Sequence, residues 1–152
     1  AIGLAISYTK NTLWNSKILI LGYGKIGRAL AFRLKNFTSS RVGVYARKQR
    51  VRTQITCDGM SAIDDLNGDF GNFNIVFNTV PSIIITKETL KNARDDCLII
   101  DLASRPGGTD FEAAKEFSVT AVHALALPSK TAPIAAAEIF VNTALKIFNG
   151  RR

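Results

Sequence analysis

The sequence predicts an α/β domain: a doubly wound parallel sheet of about six strands with helices on both faces, in three α/β/α layers. Short aliphatic runs alternate along the chain with segments of helical periodicity. The runs are apolar throughout instead of at alternate positions, which is typical of strands buried on both faces. Because helices separate successive strands, right-handed crossovers and parallel pairing are expected.

Six runs are predicted to be strands because they are rich in aliphatic residues and bounded by glycine, proline or polar residues. The first ends in a glycine and the fourth breaks at Pro81. The third is the shortest, and a loop is expected from it to residue 73. In chain order the expected strands cover residues 17–22, 41–46, 60–63, 74–80, 97–104 and 120–127.

Helices are predicted between the strands from apolar spacing and from signals at their ends. The first stops at a Thr/Ser cluster at 38–40, and the second at an Asp-Gly pair. Thr109 and Glu112 have the spacing of a capping box, which predicts the start of the fourth helix. Pro133 lies in the first turn of the last helix, where proline is tolerated. The expected helices cover 25–36, 49–57, 87–93, 111–117 and 131–148.

The chain of 152 residues, 47% hydrophobic and 21% charged, has the size and composition of one globular domain. Its hydrophobicity excludes a disordered tail, and no apolar run approaches the ~18 residues of a membrane span, so no membrane association is expected. We expect residues 1–152 to form one domain led by a helix at 1–14. Because the chain has no initiator methionine, we expect a piece of a longer protein.

Cysteine and histidine are scarce, with two cysteines, Cys57 and Cys97, and the single His123. They form no C-x-x-C pair or Cys/His cluster, so no metal site is expected. Both cysteines are expected to be reduced, small core residues of a cytoplasmic protein.

The net charge of +8 is distributed unevenly. Residues 1–57 contain eleven basic residues and no Asp or Glu, whereas residues 58–152 contain nine basic and all twelve acidic residues. The first third of the chain therefore has a positive field that attracts phosphate or carboxylate groups.

A glycine-rich turn follows the first predicted strand and opens the first predicted helix, and its sequence fits G-x-G-x-x-G. This context predicts a Rossmann-like dinucleotide-binding domain. Gly22 makes the tight turn, Gly24 leaves room for the pyrophosphate, and Gly27 allows close packing of helix on strand. The helix N-terminus offers free N–H groups to the diphosphate. The cofactor contacts expected at this turn are Gly22, Tyr23, Gly24, Lys25, Ile26 and Gly27.

The end of the second strand indicates which dinucleotide binds. A site that prefers NAD usually has an acidic residue there, which binds the ribose 2′-hydroxyl. In this chain Arg47, Lys48 and Arg50 follow the strand, and no acid does. Cationic groups bind a 2′-phosphate that a carboxylate would repel. We therefore expect NADP as the cofactor; the alternative is that the three residues form only a solvated basic face.

Further contacts are expected from the carboxyl ends of the other strands, because ligands of open α/β sheets bind there. Thr79 and Pro81 are expected along the nicotinamide ribose. The expected cofactor contacts at these strand ends are Asn78, Thr79, Val80, Pro81 and Leu102.

Three residues at the same edge are the catalytic candidates: Ser104, Arg105 and His123. Ser104 and Arg105 follow a buried strand and precede Pro-Gly-Gly, which suits them to orient a substrate carboxylate. The alternative is that Arg105 pairs with Asp101 or Asp110, and Asp101 needs partners if it is buried. His123 is a candidate for proton transfer, because the reference pKa of histidine lies near neutral pH. The alternative is a core histidine with satisfied hydrogen bonds, because His123 lies within a predicted strand.

Residues 101–111, Asp-Leu-Ala-Ser-Arg-Pro-Gly-Gly-Thr-Asp-Phe, resemble the signature of the A-subunit family of dipicolinate synthase from spore-forming bacteria. The glycine turn at 22–27 and the Asn-Thr-Val-Pro-Ser segment at 78–82 agree with this resemblance. Ala126, Ser129 and Ala135 depart from it, where the family has two glycines and a hydroxyl residue.

The resemblance implies an NADP-dependent oxidoreductase that oxidises dihydrodipicolinate to dipicolinate in the cytoplasm of a sporulating cell. It covers the C-terminal, cofactor-binding domain of that family, and implies an N-terminal domain beyond this chain and a second, flavoprotein-like B subunit as partners. A small dicarboxylate substrate fits Arg105 and the positive charge.

Alternative functions are another NADP-dependent dehydrogenase domain of the 2-hydroxy-acid type and a non-catalytic NADP-binding regulatory module. The first usually needs an acid–histidine pair downstream, and this chain has one histidine. Nucleic acid is not an expected partner, because the basic residues lie in the dinucleotide motif without interleaved aromatic residues. Homo-oligomer formation stays open.

Overall fold

The structure, a computed structural model, describes residues 1–39 and 41–150. Six parallel strands form one sheet with the order β3-β2-β1-β4-β5-β6, so the doubly wound prediction is confirmed. The strands are β1 (Ile18–Leu21), β2 (Gly43–Tyr45), β3 (Ser61–Ile63), β4 (Ile75–Asn78), β5 (Leu98–Asp101) and β6 (Thr120–His123).

Helices connect the strands on both faces of the sheet. Each predicted helix is present, and the helix predicted at 49–57 has the predicted bounds. The helices are α1 (Ile2–Tyr8), α2 (Lys25–Leu34), α3 (Gln49–Cys57), α4 (Leu66–Asp69), α5 (Lys87–Leu90), α6 (Phe111–Glu116), α7 (Leu127–Thr131) and α8 (Pro133–Asn149), with a 3₁₀ turn at Phe70–Asn72.

The sheet separates two apolar cores, because successive side chains of a strand point to opposite faces. Ile18 and Ile20 of β1 face one core, while Leu19 and Leu21 face the other together with Phe70. All five side chains are fully buried. Full burial of one such side chain stabilises a fold by about 1.5–3 kcal/mol, which explains why the central strands are aliphatic throughout.

The direction of the chain across the sheet creates the binding crevice. From β1 the chain winds outward through β2 to β3, then returns to β4 on the other side of β1. The helices that follow β1 and β4 therefore leave in opposite directions. Such a switch point opens a crevice at the carboxyl ends of the two strands, where ligands of this fold class bind.

The C-terminal part differs from the prediction. The last strand ends at His123 instead of residue 127, because Ala126 adopts a left-handed conformation (φ 54°) that turns the chain into α7. The long final helix then begins at Pro133, with the proline in its first turn as expected.

The predicted capping box is wrong. Asp110, not Thr109, caps α6, because its carboxylate accepts a hydrogen bond of 3.0 Å from the Ala113 amide. The Thr109 hydroxyl instead donates to the buried carboxylate of Asp101 at 2.8 Å.

Other differences are local. The leading helix ends at Tyr8 instead of residue 14, and two short helical turns occupy the stretch 66–72 that was predicted to be a loop. Cys97 is buried as expected, but Cys57 is exposed at the end of α3 and is not a core residue. The predicted Thr/Ser stop signal after α2 includes Ser40, which lies outside the described residues.

The central strands set the stability of the fold. Phe77 of β4 is fully buried, whereas Phe37 is 51% exposed. Phe77→Ala is expected to lower the free energy of unfolding by about 3–5 kcal/mol through lost burial and an unfilled cavity. Phe37→Ala, with the same change in volume, is expected to stay within about 0.5 kcal/mol. Urea unfolding of both variants measures the difference, and equal losses would contradict this assignment of the core.

Candidate dinucleotide-binding site

Gly22 makes a left-handed bend (φ 91°) directly after β1. Its amide donates to the Tyr45 carbonyl of β2 at 3.0 Å. A Cβ at this position would lie 2.7 Å from the hydroxyl oxygen of Thr79, which itself donates to the Leu21 carbonyl at 2.8 Å. The bend is therefore held between β2 and β4, and a side chain does not fit there.

The other two glycines of the motif differ in their surroundings. A Cβ on Gly27 would collide with the carbonyl oxygen of Gly22, so α2 can pack this closely only without a side chain. A Cβ on Gly24 would meet nothing within 4 Å, because this residue borders open space. Gly24 is also the N-cap of α2, and no described side chain hydrogen-bonds to this cap. Free N–H groups of the first turn thus face the space beside Gly24, as an anion site requires.

An open cavity of about 290 Å³ lies between the glycine turn and the end of β2. A second cavity of about 420 Å³ adjoins it toward β3 and shares four lining residues, Tyr45, Arg47, Val80 and Ile84. The crevice at the switch point is thus open. The residues that line the smaller cavity are Gly22, Tyr23, Gly24, Tyr45, Ala46, Arg47, Lys48, Val51, Val80 and Ile84.

Two of the three predicted cations line the crevice. Arg47 borders both cavities, and Lys48 borders the smaller one and is the N-cap of α3. Arg50 is exposed in the first turn of α3 and does not line either cavity. Asp64 and Asp65, which follow β3, also border the larger cavity. The crevice therefore contains two acids after β3 and no acid directly after β2.

Arg52 supports the cationic loop, residues 46–48 with Arg47 and Lys48, and no role for Arg52 was predicted. Its Nη1 donates to the carbonyl oxygens of Ala46 and Arg47 at 3.0 and 2.8 Å. These bonds hold the loop carbonyls toward α3. In the sequence, Arg52 is one of four basic residues between positions 47 and 52. That pattern does not show which of them binds a ligand and which supports the backbone.

Tyr23 connects the glycine turn to the far end of α3. Its hydroxyl donates to Asp58 Oδ2 at 2.7 Å, and Arg28 Nη2 lies 3.2 Å from the same oxygen. Gln54 donates to the other carboxylate oxygen at 2.9 Å. Burial is the larger cause that raises the pKa of Tyr23 to about 12, and the hydrogen bond to Asp58 is the next. The same hydrogen bond lowers the pKa of Asp58. The hydroxyl of Tyr23 is thus a structural link, and only its backbone and ring are available to the crevice.

Asp101 is fully buried and organises the loop after β5. The expectation that it is paired is confirmed, although no cation contacts it among the described residues. Four donors surround its carboxylate. They are Asn78 Nδ2 at 2.8 Å, the Ala103 amide at 3.0 Å, the Gly108 amide at 2.8 Å and Thr109 Oγ1 at 2.8 Å.

The predicted contacts at the end of β4 have different surroundings. The amide of Asn78 bonds internally to Asp101 and to both backbone groups of Val80, so it lies within the protein. Val80 lines both cavities and Pro81 is exposed, while Leu102 is half-buried against the first core. Only Val80 of this group borders the crevice directly.

The catalytic candidates lie at the same edge. Ser104 and Arg105 are exposed, and within the described ranges no ion pair joins Arg105 to Asp101 or Asp110, so the predicted alternative pairing is absent. His123 is half-buried, with Nε2 3.1 Å from the Ala103 carbonyl oxygen and its ring stacked on Phe111 at 5.3 Å. His123 thus supports the loop that carries Arg105.

The described residues contain no group of three His, Cys, Asp or Glu that could hold a metal ion. Within the same ranges, no helix has the length and apolar character needed to cross a membrane.

Comparison with known proteins identifies the class. Residues 5–113 match the family model described as the NAD binding domain of D-isomer specific 2-hydroxyacid dehydrogenases, and the chain belongs to this family. It is a dehydrogenase-type nucleotide-binding domain, as its crevice indicates.

Within that class the chain is similar to the A subunit of dipicolinate synthase, which confirms the resemblance seen at residues 101–111. It is 36% identical to the protein of Bacillus subtilis (strain 168) over 148 residues, which cover 96% of this chain and 50% of the relative. The crystal structure of the Bacillus subtilis protein matches with a TM-score of 0.93 at 34% identity, covering 98% of this chain and 50% of that one. The structure of the Bacillus halodurans protein matches with a TM-score of 0.91 at 28% identity, covering 96% and 50%. The chain thus spans about half the length of these relatives.

The Tyr23–Asp58 link gives a pH signature. Because the pKa of Tyr23 is raised from 10.0 to about 12 in the folded state, the unfolded chain loses this proton first as the pH rises. The contribution of Tyr23 to stability is therefore complete below pH 10 and is lost as the pH rises toward 12. Tyrosinate absorbance, compared with that of Tyr23→Phe, is expected to show a step near pH 12. In Asp58→Asn the step is expected at lower pH, because the hydrogen bond to a carboxylate is lost while burial remains. A Tyr23 step near 10 in the unaltered protein would contradict the link.

Proposed function

We propose that this chain is the cofactor-binding domain of an NADP-dependent dehydrogenase of the dipicolinate synthase type, within the A subunit. Its reaction is the oxidation of dihydrodipicolinate to dipicolinate during sporulation, in the cytoplasm. The observation that carries the proposal is the open crevice bounded on one side by the glycine turn and on the other by Arg47 and Lys48. Similarity to relatives named for dipicolinate synthase supports the substrate.

Preference for NADP over NAD follows from the charges around the crevice. Arg47 and Lys48 border it, and the first turn of α3 contains no acidic residue. A 2′-phosphate beside β2 would receive charge-assisted hydrogen bonds from the two side chains and the favourable end of the helix dipole. Arg52 restrains the loop that carries both cations, so fewer conformations are lost on binding.

The contacts proposed for the remainder of the cofactor follow the crevice from the glycine turn toward β4. The N–H groups at the start of α2 would bind the diphosphate, and Gly24 leaves the space it needs. Val80 borders the path beyond the turn, and Thr79 and Pro81 are proposed along the nicotinamide ribose.

The reaction removes a hydride and a proton from the substrate. NADP⁺ supplies the hydride acceptor. The chain itself orients the substrate: Arg105 would bind a carboxylate and Ser104 would donate a hydrogen bond, with both held at the crevice edge by the Asp101 network. His123 is proposed as the proton carrier, and its contact with the Ala103 carbonyl holds its ring beside this loop. Aromatisation of the ring favours the step.

The partners proposed for the domain are those of a complete enzyme. The names of the relatives designate one subunit of a synthase, which implies a complex with further subunits. We propose three partners: a flavoprotein-like B subunit, an N-terminal domain in the same polypeptide, and a small dicarboxylate as substrate. The net charge of +8 would attract such an anion.

Reversal of the charge at Arg47 tests the proposed preference for NADP over NAD. Arg47→Glu is expected to weaken NADP binding about 10- to 100-fold by replacing a charge-assisted bond with repulsion, and to leave NAD binding nearly unchanged. Arg41→Glu is the matched control, because Arg41 precedes β2 and lies at the opposite edge of the sheet. Calorimetric titration with both cofactors measures the effect. Equal NADP affinity in both variants would show that Arg47 does not bind the 2′-phosphate.

Replacement of Arg105, the exposed cation after β5, tests its proposed role in binding the substrate. In a complete, two-domain protein that contains this domain, Arg105→Ala is expected to lower kcat/KM for dihydrodipicolinate about 100-fold or more, from loss of a charge-assisted clamp. The dissociation constant of NADP is expected to stay the same. Lys130→Ala, an exposed cation in α7, serves as the control. Unchanged turnover in Arg105→Ala, followed by NADPH absorbance, would exclude this substrate role.

A further inference from the structure

We infer that Asn78 is a positioning residue that couples two loops of the crevice, so that NADP and a dicarboxylate each favour binding of the other. One loop, residues 80–85 after β4, is the cofactor wall. The other, residues 103–109 after β5, carries Arg105 and is the clamp loop. The inference rests on the proposed function for the identity of the two ligands.

The side chain of Asn78 is fully buried at the end of β4 and uses both of its polar atoms. Its Oδ1 accepts a hydrogen bond from the Val80 amide at 3.0 Å, and its Nδ2 donates to the Val80 carbonyl at 3.1 Å. The same Nδ2 donates to Asp101 Oδ1 at 2.8 Å. Asn78 thus fixes the start of the cofactor wall and also bonds to a residue of the neighbouring strand.

Asp101 lies directly beside Asn78, because the two residues are paired in the parallel register of β4 and β5. Its Oδ1 also accepts from the Ala103 amide, at the start of the clamp loop. Its Oδ2 accepts from the Gly108 amide and the Thr109 hydroxyl, at the end of that loop. One amide nitrogen of Asn78 therefore joins the cofactor wall to both ends of the clamp loop through a buried carboxylate.

The two loops also contact each other through their backbones. The Gly108 carbonyl accepts hydrogen bonds from the amides of Ile84 and Ile85, each at 2.9 Å. A Cβ on Gly108 would collide with Asn78 Nδ2 and with the Val80 carbonyl oxygen, so the loops pack without room for a side chain. Because close-packed segments transmit displacements, restriction of one loop also restricts the other.

The two loops face the two ligands of the proposed reaction. Val80 and Ile84 of the cofactor wall line both cavities of the crevice, whereas Ser104 and Arg105 are exposed on the clamp loop. NADP bound against the wall would restrict the wall and, through Asn78, the clamp loop. Less conformational entropy is then lost when the clamp loop orders around a dicarboxylate, so the second ligand binds more tightly. By thermodynamic linkage the dicarboxylate strengthens NADP binding by the same factor.

The hydrogen bonds at position 78 require a short primary amide. One side-chain atom accepts from a backbone amide, while the other donates to a backbone carbonyl and to a carboxylate. Asparagine has one acceptor oxygen and two donor hydrogens, whereas an ionised aspartate has no donor and a serine has only one. The coupling therefore depends on the chemistry of Asn78 and not on its burial alone.

Amide hydrogen exchange of this chain, measured by mass spectrometry with and without NADP, tests the coupling. In the unaltered protein NADP is expected to slow exchange about tenfold at the glycine turn and also across the clamp loop. Asn78→Ala is expected to keep the protection of the glycine turn and to lose that of the clamp loop. A merely structural role would lower stability without separating the two protections.

A second variant and a control accompany this measurement. Asp101→Asn replaces an acceptor oxygen by a donor at nearly the same volume, so it breaks the network with less loss of packing than Asn78→Ala, and the same result is expected. Ser16→Ala is the matched control, because it removes a buried hydroxyl whose bond to the Thr12 carbonyl lies before β1, outside both loops. This control is expected to keep both protections.

Ligand affinities provide a separate readout in a complete, two-domain protein that contains this domain. NADP is expected to tighten the binding of dipicolinate, the proposed product, at least about fivefold, within the usual range of coupling between sites. In Asn78→Ala the ratio of the two dipicolinate affinities is expected to fall to about 1, while NADP alone binds within about threefold of its usual affinity. Calorimetric titration measures both constants.

Two results would overturn the inference. They are NADP protection that does not reach the clamp loop in the unaltered protein, and protection of the clamp loop that persists in Asn78→Ala and Asp101→Asn. Either result leaves the proposed function intact, because NADP has bound. If NADP does not bind at all, the proposed function fails, and exchange without ligand still tests the link between the loops. Asn78→Ala is then expected to speed exchange in the clamp loop at least about tenfold relative to Ser16→Ala, and equal rates would reject the link.

Discussion

The left-handed bend at Gly22 is the constraint on which the binding site depends. It is held by a hydrogen bond to β2 and by contact with Thr79 of β4, and α2 approaches it so closely that Gly27 cannot carry a side chain. The bend places the N-terminus of α2 at the switch point of the sheet, where Gly24 borders the crevice. The same backbone geometry thus closes the core and leaves the N-terminus of α2 open at the crevice.

Two side-chain links extend this rigidity to the loop of Arg47 and Lys48, the proposed site of the 2′-phosphate. Tyr23 binds Asp58 at the end of α3, and Arg52 binds the loop that begins the same helix. α3 is therefore attached at both ends, to the glycine turn and to the cationic loop. A dinucleotide with two phosphate centres needs a fixed distance between the groups that bind them, and these links supply it. The Tyr23 hydroxyl and the Arg52 Nη1 are both bonded within the protein, so their role is to position other groups.

The sequence was sufficient for the sheet, for α2 and α3 and for the glycine turn, because burial on both faces and a fixed backbone motif leave strong local signals. It was insufficient where tertiary contacts decide. Thr109 has a good capping position but bonds to buried Asp101, so Asp110 caps the helix instead. Ala126 has no turn signal, yet it ends β6 early through a left-handed conformation. Asp58 was predicted only as part of the turn that ends a helix. Its hydrogen bond joins it to Tyr23, 35 residues earlier, and no local sequence pattern predicts a contact at that separation.

The most direct measurement of the central claim is the affinity of the unaltered protein for NADP and for NAD under one set of salt conditions. If the glycine turn binds the diphosphate and the cationic loop binds the 2′-phosphate, both cofactors bind and NADP binds at least about tenfold more tightly, since one charge-assisted contact is worth roughly 1.5–3 kcal/mol. Equal affinities, or tighter binding of NAD, would contradict the role of the loop, and binding of neither would contradict the account of the crevice.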